Sequence, residues 1–260
     1  MREAWEIVTS GPPDATPAVL LLPGGAMAAR SFDLVMAEPA LSGVRLVATT
    51  LPGMAGAPIA EDVTIPALSR RAAELARDQG CSVVAGFSHG ATVALDMALS
   101  GQFQGPIVLL GLSLTPEDEA WFFRGVVRAS EKVGRWPMAL LFRVMPLMIR
   151  SAKTSEVHKR ELVEDVKANR AGDALRVSST YLDYIAEDRD PAALLAASGT
   201  KAWVVHAEKG DGGLTERERT LLAAAPDVTL VVLPGAVFFL PDEAPRETAE
   251  VIAAAVAQAS

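Results

Sequence analysis

One cysteine among 260 residues, Cys81, rules out a disulfide within the chain and fits a reducing compartment. It lies well before the motif described below, and a buried apolar filler is expected there. Basic residues are in deficit, 24 Lys and Arg against 32 Asp and Glu, giving a net charge of −8 and a pI near 5.0. That balance argues against nucleic acid and anionic membrane as partners. Long apolar runs are missing too. The first, residues 18–22, is too short and too late for a signal peptide. The longest, 138–149, is broken by Arg143 and Pro146 and falls short of a membrane span. A cytoplasmic protein is expected, monomer or homodimer, with no cofactor and no metal. Aromatics make up 5% of the chain and apolar residues 50%, with much alanine. This is a helix-rich composition, and the length suits one large domain with an insertion.

What is present centres on Val83-Val84-Ala85-Gly86-Phe87-Ser88-His89-Gly90-Ala91. A β-branched apolar run enters Gly-x-Ser-x-Gly, and a helix-forming stretch, 91–99, leaves it. In that strand–turn–helix setting the pattern reads as a nucleophile elbow. The glycines lack a Cβ, so strand and helix can pass closely while the serine takes a strained backbone conformation. Ser88 Oγ then projects above the sheet, and the His89 N–H at the helix start points toward a developing oxyanion.

Around this motif, apolar runs at 5–9, 18–22, 44–49, 106–112, 202–206 and 228–233 read as strands. Residues 67–79 and 248–258 read as helices, and the alternation implies a parallel, doubly wound sheet. Thr115-Pro116-Glu117-Asp118 has the form of a helix start, with Thr115 as N-cap and Pro at the first helical position. From there to about residue 198 only helical periods appear.

The elbow, the Pro23-Gly24-Gly25-Ala26 loop, the Pro52-Gly53-Met54-Ala55-Gly56 turn and the order of elements resemble the α/β-hydrolase superfamily over nearly the whole chain. The likeness is to its capped, esterase-like and C–C-hydrolase-like members. It implies an α/β fold with a doubly wound, mainly parallel sheet and a helical cap inserted after the sixth strand. The core would then comprise residues 1–114 and 199–260, with the cap at 115–198. It also implies that Gly25, or Ala26 beside it, supplies the second oxyanion-hole N–H with His89. Asp211 stands at the acid position of the triad, with Glu208 in reserve.

The histidine position is where the pattern breaks. Gly235-Ala236-Val237-Phe238-Phe239-Leu240-Pro241-Asp242-Glu243-Ala244-Pro245 keeps the family frame, but Phe238 occupies the place of the general base. Of the three histidines, His89 contributes its N–H, His206 ends a strand, and His158 sits among charged residues; His206 or His158 standing in as base remains open. Met138, Phe142, Met145 and Met148 either line an apolar substrate pocket or pack the cap on the core. The expected activity is attack by Ser88 on an apolar small-molecule ester, thioester or related carbonyl compound, with an incomplete triad. The alternatives are a lyase, isomerase or cyclase using the oxyanion hole and Asp211, or a catalytically silent ligand-binding protein.

Overall fold

The computed structural model describes residues 5–150, 152–208 and 213–259. Seven strands form one sheet: β1 (Ile7–Ser10), β2 (Ala18–Leu22), β3 (Arg45–Thr49), β4 (Cys81–Phe87), β5 (Ile107–Leu110), β6 (Ala202–Ala207) and β7 (Val228–Leu233). Their spatial order is β1-β3-β2-β4-β5-β6-β7. Only β1 runs antiparallel, against β3; the other pairs are parallel.

The interior strands are apolar throughout because both faces are covered. Alternate residues of each go to opposite sides. Leu20, Leu22, Val84, Leu109 and Val204 join one buried cluster, while Val19, Leu21, Val83, Val108 and Val205 join the other. The first side is covered by α2 (Ile65–Asp78) and α3 (His89–Leu99), through residues such as Leu68, Ala72 and Val93. The second is covered by α1 (Asp33–Met36) and the last helix, Pro245–Gln258, through Val35, Ala249 and Ile252. This is the doubly wound α/β arrangement expected. Cys81 is buried at the start of β4, as a filler should be.

Between β5 and β6 the described residues contain only helices: α4 (Trp121–Val133), α5 (Trp136–Ile149), α6 (Glu156–Ala168), α7 (Ala171–Ile185) and α8 (Pro191–Ala197). After β6 come α9 (Glu216–Ala223), α10 (Leu240–Glu243) and α11, the closing helix. Two expectations are corrected. The helical stretch follows the fifth strand, not the sixth: among the described residues only β1 to β5 precede it, and the segments between them are turns and helices. Thr115 does not cap a helix either. The Asp118 carboxylate accepts from Leu114 N, Thr115 N and Thr115 Oγ at 2.9, 3.0 and 3.3 Å, closing a turn, and α4 starts six residues later.

Candidate active site

Because β2 and β4–β7 are parallel, the loops leaving their carboxyl ends share one edge of the sheet, where an open α/β sheet forms its sites. Pro23 follows β2, Ser88 follows β4, Glu208 follows β6, and Phe238 lies five residues beyond β7.

Ser88 is the most strained of these residues, with φ 48° and ψ −112°. A side chain held at positive φ costs about 1–3 kcal/mol and persists only where its surroundings enforce it. Here they do. Ser88 N donates to Leu110 O at 2.8 Å, and Ser88 O accepts from Ala91 N and Thr92 N at 2.9 and 3.1 Å. The glycines are obligatory for a measurable reason. A Cβ on Gly86 would sit 2.2 Å from Gly90 O, and one on Gly90 would sit 2.2 Å from Leu22 O. Strand, turn and helix therefore cross in backbone contact, and Ser88 is left partly exposed at the tip. The N–H groups of His89 and Gly90 open α3 and carry no hydrogen bond among the described residues.

The β2 loop lies against the elbow. Gly24 rests on the Phe87 ring, where a Cβ would be 2.8 Å from Phe87 Cδ1. Gly25 is exposed, and a Cβ placed there would lie 4.0 Å from His89 Cβ. Ala26 sits at φ 65° and donates its N–H to Met54 Sδ at 3.1 Å, so that donor is engaged. Of the two oxyanion candidates, Gly25 is the one with its N–H uncommitted among the described residues. Distant residues pin the loop. Asp165 Oδ2 accepts from Ala28 N at 3.0 Å, and Asn169 Nδ2 donates to Ala26 O at 3.0 Å while its Oδ1 accepts from Ala55 N.

Phe238 is 42% exposed, and its ring lies edge-on to Phe87, the residue before Ser88, with centroids 6.1 Å apart; a second such contact joins it to Phe239 at 5.0 Å. Glu243 supports its loop, accepting Val237 N and Phe238 N on Oε2 at 2.7 and 2.9 Å. Glu208 Oε2 accepts from Gly235 N at 2.9 Å, which ties the β6 exit to the same loop. Asp211 lies outside the described residues.

Among the described residues no histidine is hydrogen-bonded to Ser88. The His89 ring is buried with its centroid 5.4 Å from that of Tyr181, and burial pushes its pKa down to about 4, so it is neutral. His158 Nδ1 lies 2.6 Å from Glu161 Oε2 in the first turn of α6. His206 is buried in β6, in register with Val232.

The four α5 candidates diverge. Met138 is fully buried with Val127 and Ala174, as helix packing. Phe142 and Met145 are half-buried against the sheet-side core, and Met148 is exposed. No group of three metal-ligating side chains occurs among the described residues.

Asp242 is a buried carboxyl that sequence reasoning missed. Its Oδ2 has no hydrogen-bond partner among the described residues. Burial first, then the nearby Glu243, Asp165, Glu161 and Asp33, push its pKa up to about 8. Its only local signal is an acid following Phe238-Phe239-Leu240-Pro241.

Known proteins resemble the chain in its fold. An esterase from Thermogutta terrifontis, solved with malate bound, superposes with a TM-score of 0.71 at 18% identity, covering 98% of this chain and 93% of its own. An enol-lactonase from Burkholderia xenovorans gives 0.73 at 15% identity over 97% and 96%. An epoxide hydrolase solved without ligand gives 0.73 at 16% over 96% and 94%. No curated protein sequence matches the chain. The model of the Alpha/beta hydrolase family matches residues 19–251. The chain belongs to the alpha/beta hydrolase family.

Proposed function

We propose that the protein hydrolyses small apolar esters, thioesters or related carbonyl compounds through Ser88, at a rate limited by the missing histidine. The observation that carries this is the strained φ and ψ of Ser88, held by Leu110, Ala91 and Thr92. Strain of that kind is maintained where a side chain must be presented. Ser88 Oγ attacks the carbonyl carbon, and its proton passes to water. The oxyanion is received by the N–H groups of His89 and Gly25, at a helix N-terminus whose partial charge favours it. The leaving alcohol or thiol departs with a proton, and a water molecule then cleaves the acyl-enzyme. Asp211 and Glu208 are the carboxylates proposed to stand beside this path.

Helices α4–α8 act as the cap in this scheme. Asp165 and Asn169, at the end of α6, hold the Gly25 loop, and Tyr181 of α7 packs on His89. In a serine hydrolase triad, loss of the histidine costs on the order of 10⁶-fold in turnover, and binding with the oxyanion hole retains ~10³–10⁴-fold over water. Slow hydrolysis is therefore expected. The decisive measurement is treatment with an alkyl fluorophosphonate and mass spectrometry of the adduct, beside p-nitrophenyl butyrate hydrolysis. Labelling at Ser88 and loss of turnover in Ser88→Ala support the assignment. Equal turnover in Ser88→Ala without labelling refutes it.

One feature favours a second reading, catalysis without an acyl-enzyme. Phe238 stands in an intact frame, and a buried, protonated Asp242 lies in the helical turn that follows it. A lyase or isomerase using an oxyanion hole and a neutral carboxyl fits those groups, and it predicts tight apolar-ligand binding without labelling of Ser88.

A further inference from the structure

The chain is acidic overall, yet its charge is unevenly placed. Residues 121–160 contain nine Lys and Arg and two Glu, a net +7, so the other 220 residues carry −15. The basic part coincides with α4, α5 and the start of α6. Gly134, at φ 89°, reverses the chain between α4 and α5, which pack side by side and on α7 through Val127, Met138 and Ala174. Their far faces are therefore left to solvent.

Those faces are not what a solvated helix presents. On α5, Trp136, Leu140, Val144 and Leu147 fall on one stripe at helical spacing, and all four are exposed, Trp136 by 60%. Trp121 opens α4 and is 80% exposed. Arg143 and Arg150, seven residues apart, run along one edge of the α5 stripe, and Arg128 and Lys132 are exposed on α4. None of these four cations forms an ion pair among the described residues. Tryptophan and leucine on one face with unpaired arginines beside them is the composition of a helix that lies in a bilayer interface. No described helix is long and apolar enough to cross a membrane.

We propose that the α4–α5 face docks on an anionic phospholipid surface, with Trp136 and Leu147 entering the headgroup boundary and the arginines meeting lipid phosphates. The charge is what selects this occupant. Arg128, Lys132, Arg143 and Arg150, exposed and without ion pairs among the described residues, outnumber Glu131, the one acid on these two helices, and draw the α4–α5 face to an anionic surface. The inference stands independently of the chemistry at Ser88.

The test is co-sedimentation of the whole protein with vesicles of phosphatidylcholine alone or with about one-third phosphatidylglycerol, at low and high salt, with tryptophan emission recorded. Binding to the anionic vesicles at low salt is expected, with a blue shift, and it should weaken steeply with salt. Arg143→Glu with Arg150→Glu should weaken it about tenfold or more. Arg77→Glu with Arg246→Glu makes the same charge change on other helices and should have a smaller effect. Circular dichroism of each variant confirms that it is folded, since all four sites are at the surface. Equal binding to neutral vesicles, no binding to either, or equal loss in the control pair overturns the proposal. So does a homodimer in sedimentation velocity that Leu140→Ser with Leu147→Ser dissociates, without vesicle binding by the parent protein.

Discussion

Replacing Asp242 with Asn should make the protein more stable at neutral and alkaline pH, and by a growing margin as pH rises. The carboxyl is buried, one oxygen lacks a hydrogen bond among the described residues, and four other acids surround it. Arg30, which lies beside Asp165, is engaged by that carboxylate, with Nε 2.8 Å from Oδ1. In the folded protein Asp242 therefore keeps its proton up to a pH of about 8. In the unfolded chain it loses that proton near the ordinary value of about 4. Between these limits the fold holds one more proton than the unfolded state, so stability falls as pH rises. The slope is up to about 1.4 kcal/mol per pH unit. From pH 4 to pH 7 this amounts to roughly 4 kcal/mol as an upper bound, and roughly 2 kcal/mol if water reaches the site on ionisation. Asn has the same shape and cannot ionise. Any cost of seating its NH₂ is independent of pH, so the change in the difference is the quantity to read. Urea unfolding of both proteins at pH 5, 7 and 8.5 would measure it, because titrations common to the pair cancel. A stability difference that stays constant over this range would refute the burial argument, as would an NMR titration placing the Asp242 carboxyl near 4.

Two further perturbations test the elbow and the loop beside it. Gly90→Ala drives a Cβ to 2.2 Å from the Leu22 carbonyl oxygen and should cost about 3 kcal/mol or more, whereas Gly125→Ala in α4 meets open space and should stabilise by about 0.5–1 kcal/mol; thermal melts of the two variants decide whether backbone crossing or helix propensity governs. Phe238→His gives up one ring edge against Phe87 but puts an imidazole in the frame that Glu243 holds, so p-nitrophenyl butyrate hydrolysis should rise above wild type. The rise should stay well short of a full triad, and Ser88→Ala in the same background should remove it; a gain that survives without Ser88 would count against the serine.

Much of the fold was legible because its signals are local. Apolar runs such as Ala18–Leu22 announce strands covered on both faces, and Gly86-Phe87-Ser88-His89-Gly90 announces its turn because the close approach of Gly86 to Gly90 lies within the motif, although Leu22 and Leu110 complete its surroundings. Phe238 stood out by its place in a frame of nearby residues, and Glu243 does reach back to the Phe238 N–H from five positions away. What the chain could not disclose depends on groups far apart in sequence. The Thr115 turn is the exception, a local ambiguity: a Thr-Pro-acid string caps helices in general, and here the Asp118 side chain, three residues on, takes the Leu114 and Thr115 N–H groups instead. That the Ala26 N–H is engaged rests on a methionine 28 residues away. The buried state of Asp242 arises only when α1, α6 and α10 bring their acids together around it. Along α5 the sequence shows apolar residues nearly all round, and only packing on α7 and the sheet decides that Met138 goes in while Trp136 and Leu147 stay out. A whole-chain charge of −8 likewise averages away a +7 segment, because net charge is a sum over residues whereas the field at a surface depends on which of them tertiary structure places side by side.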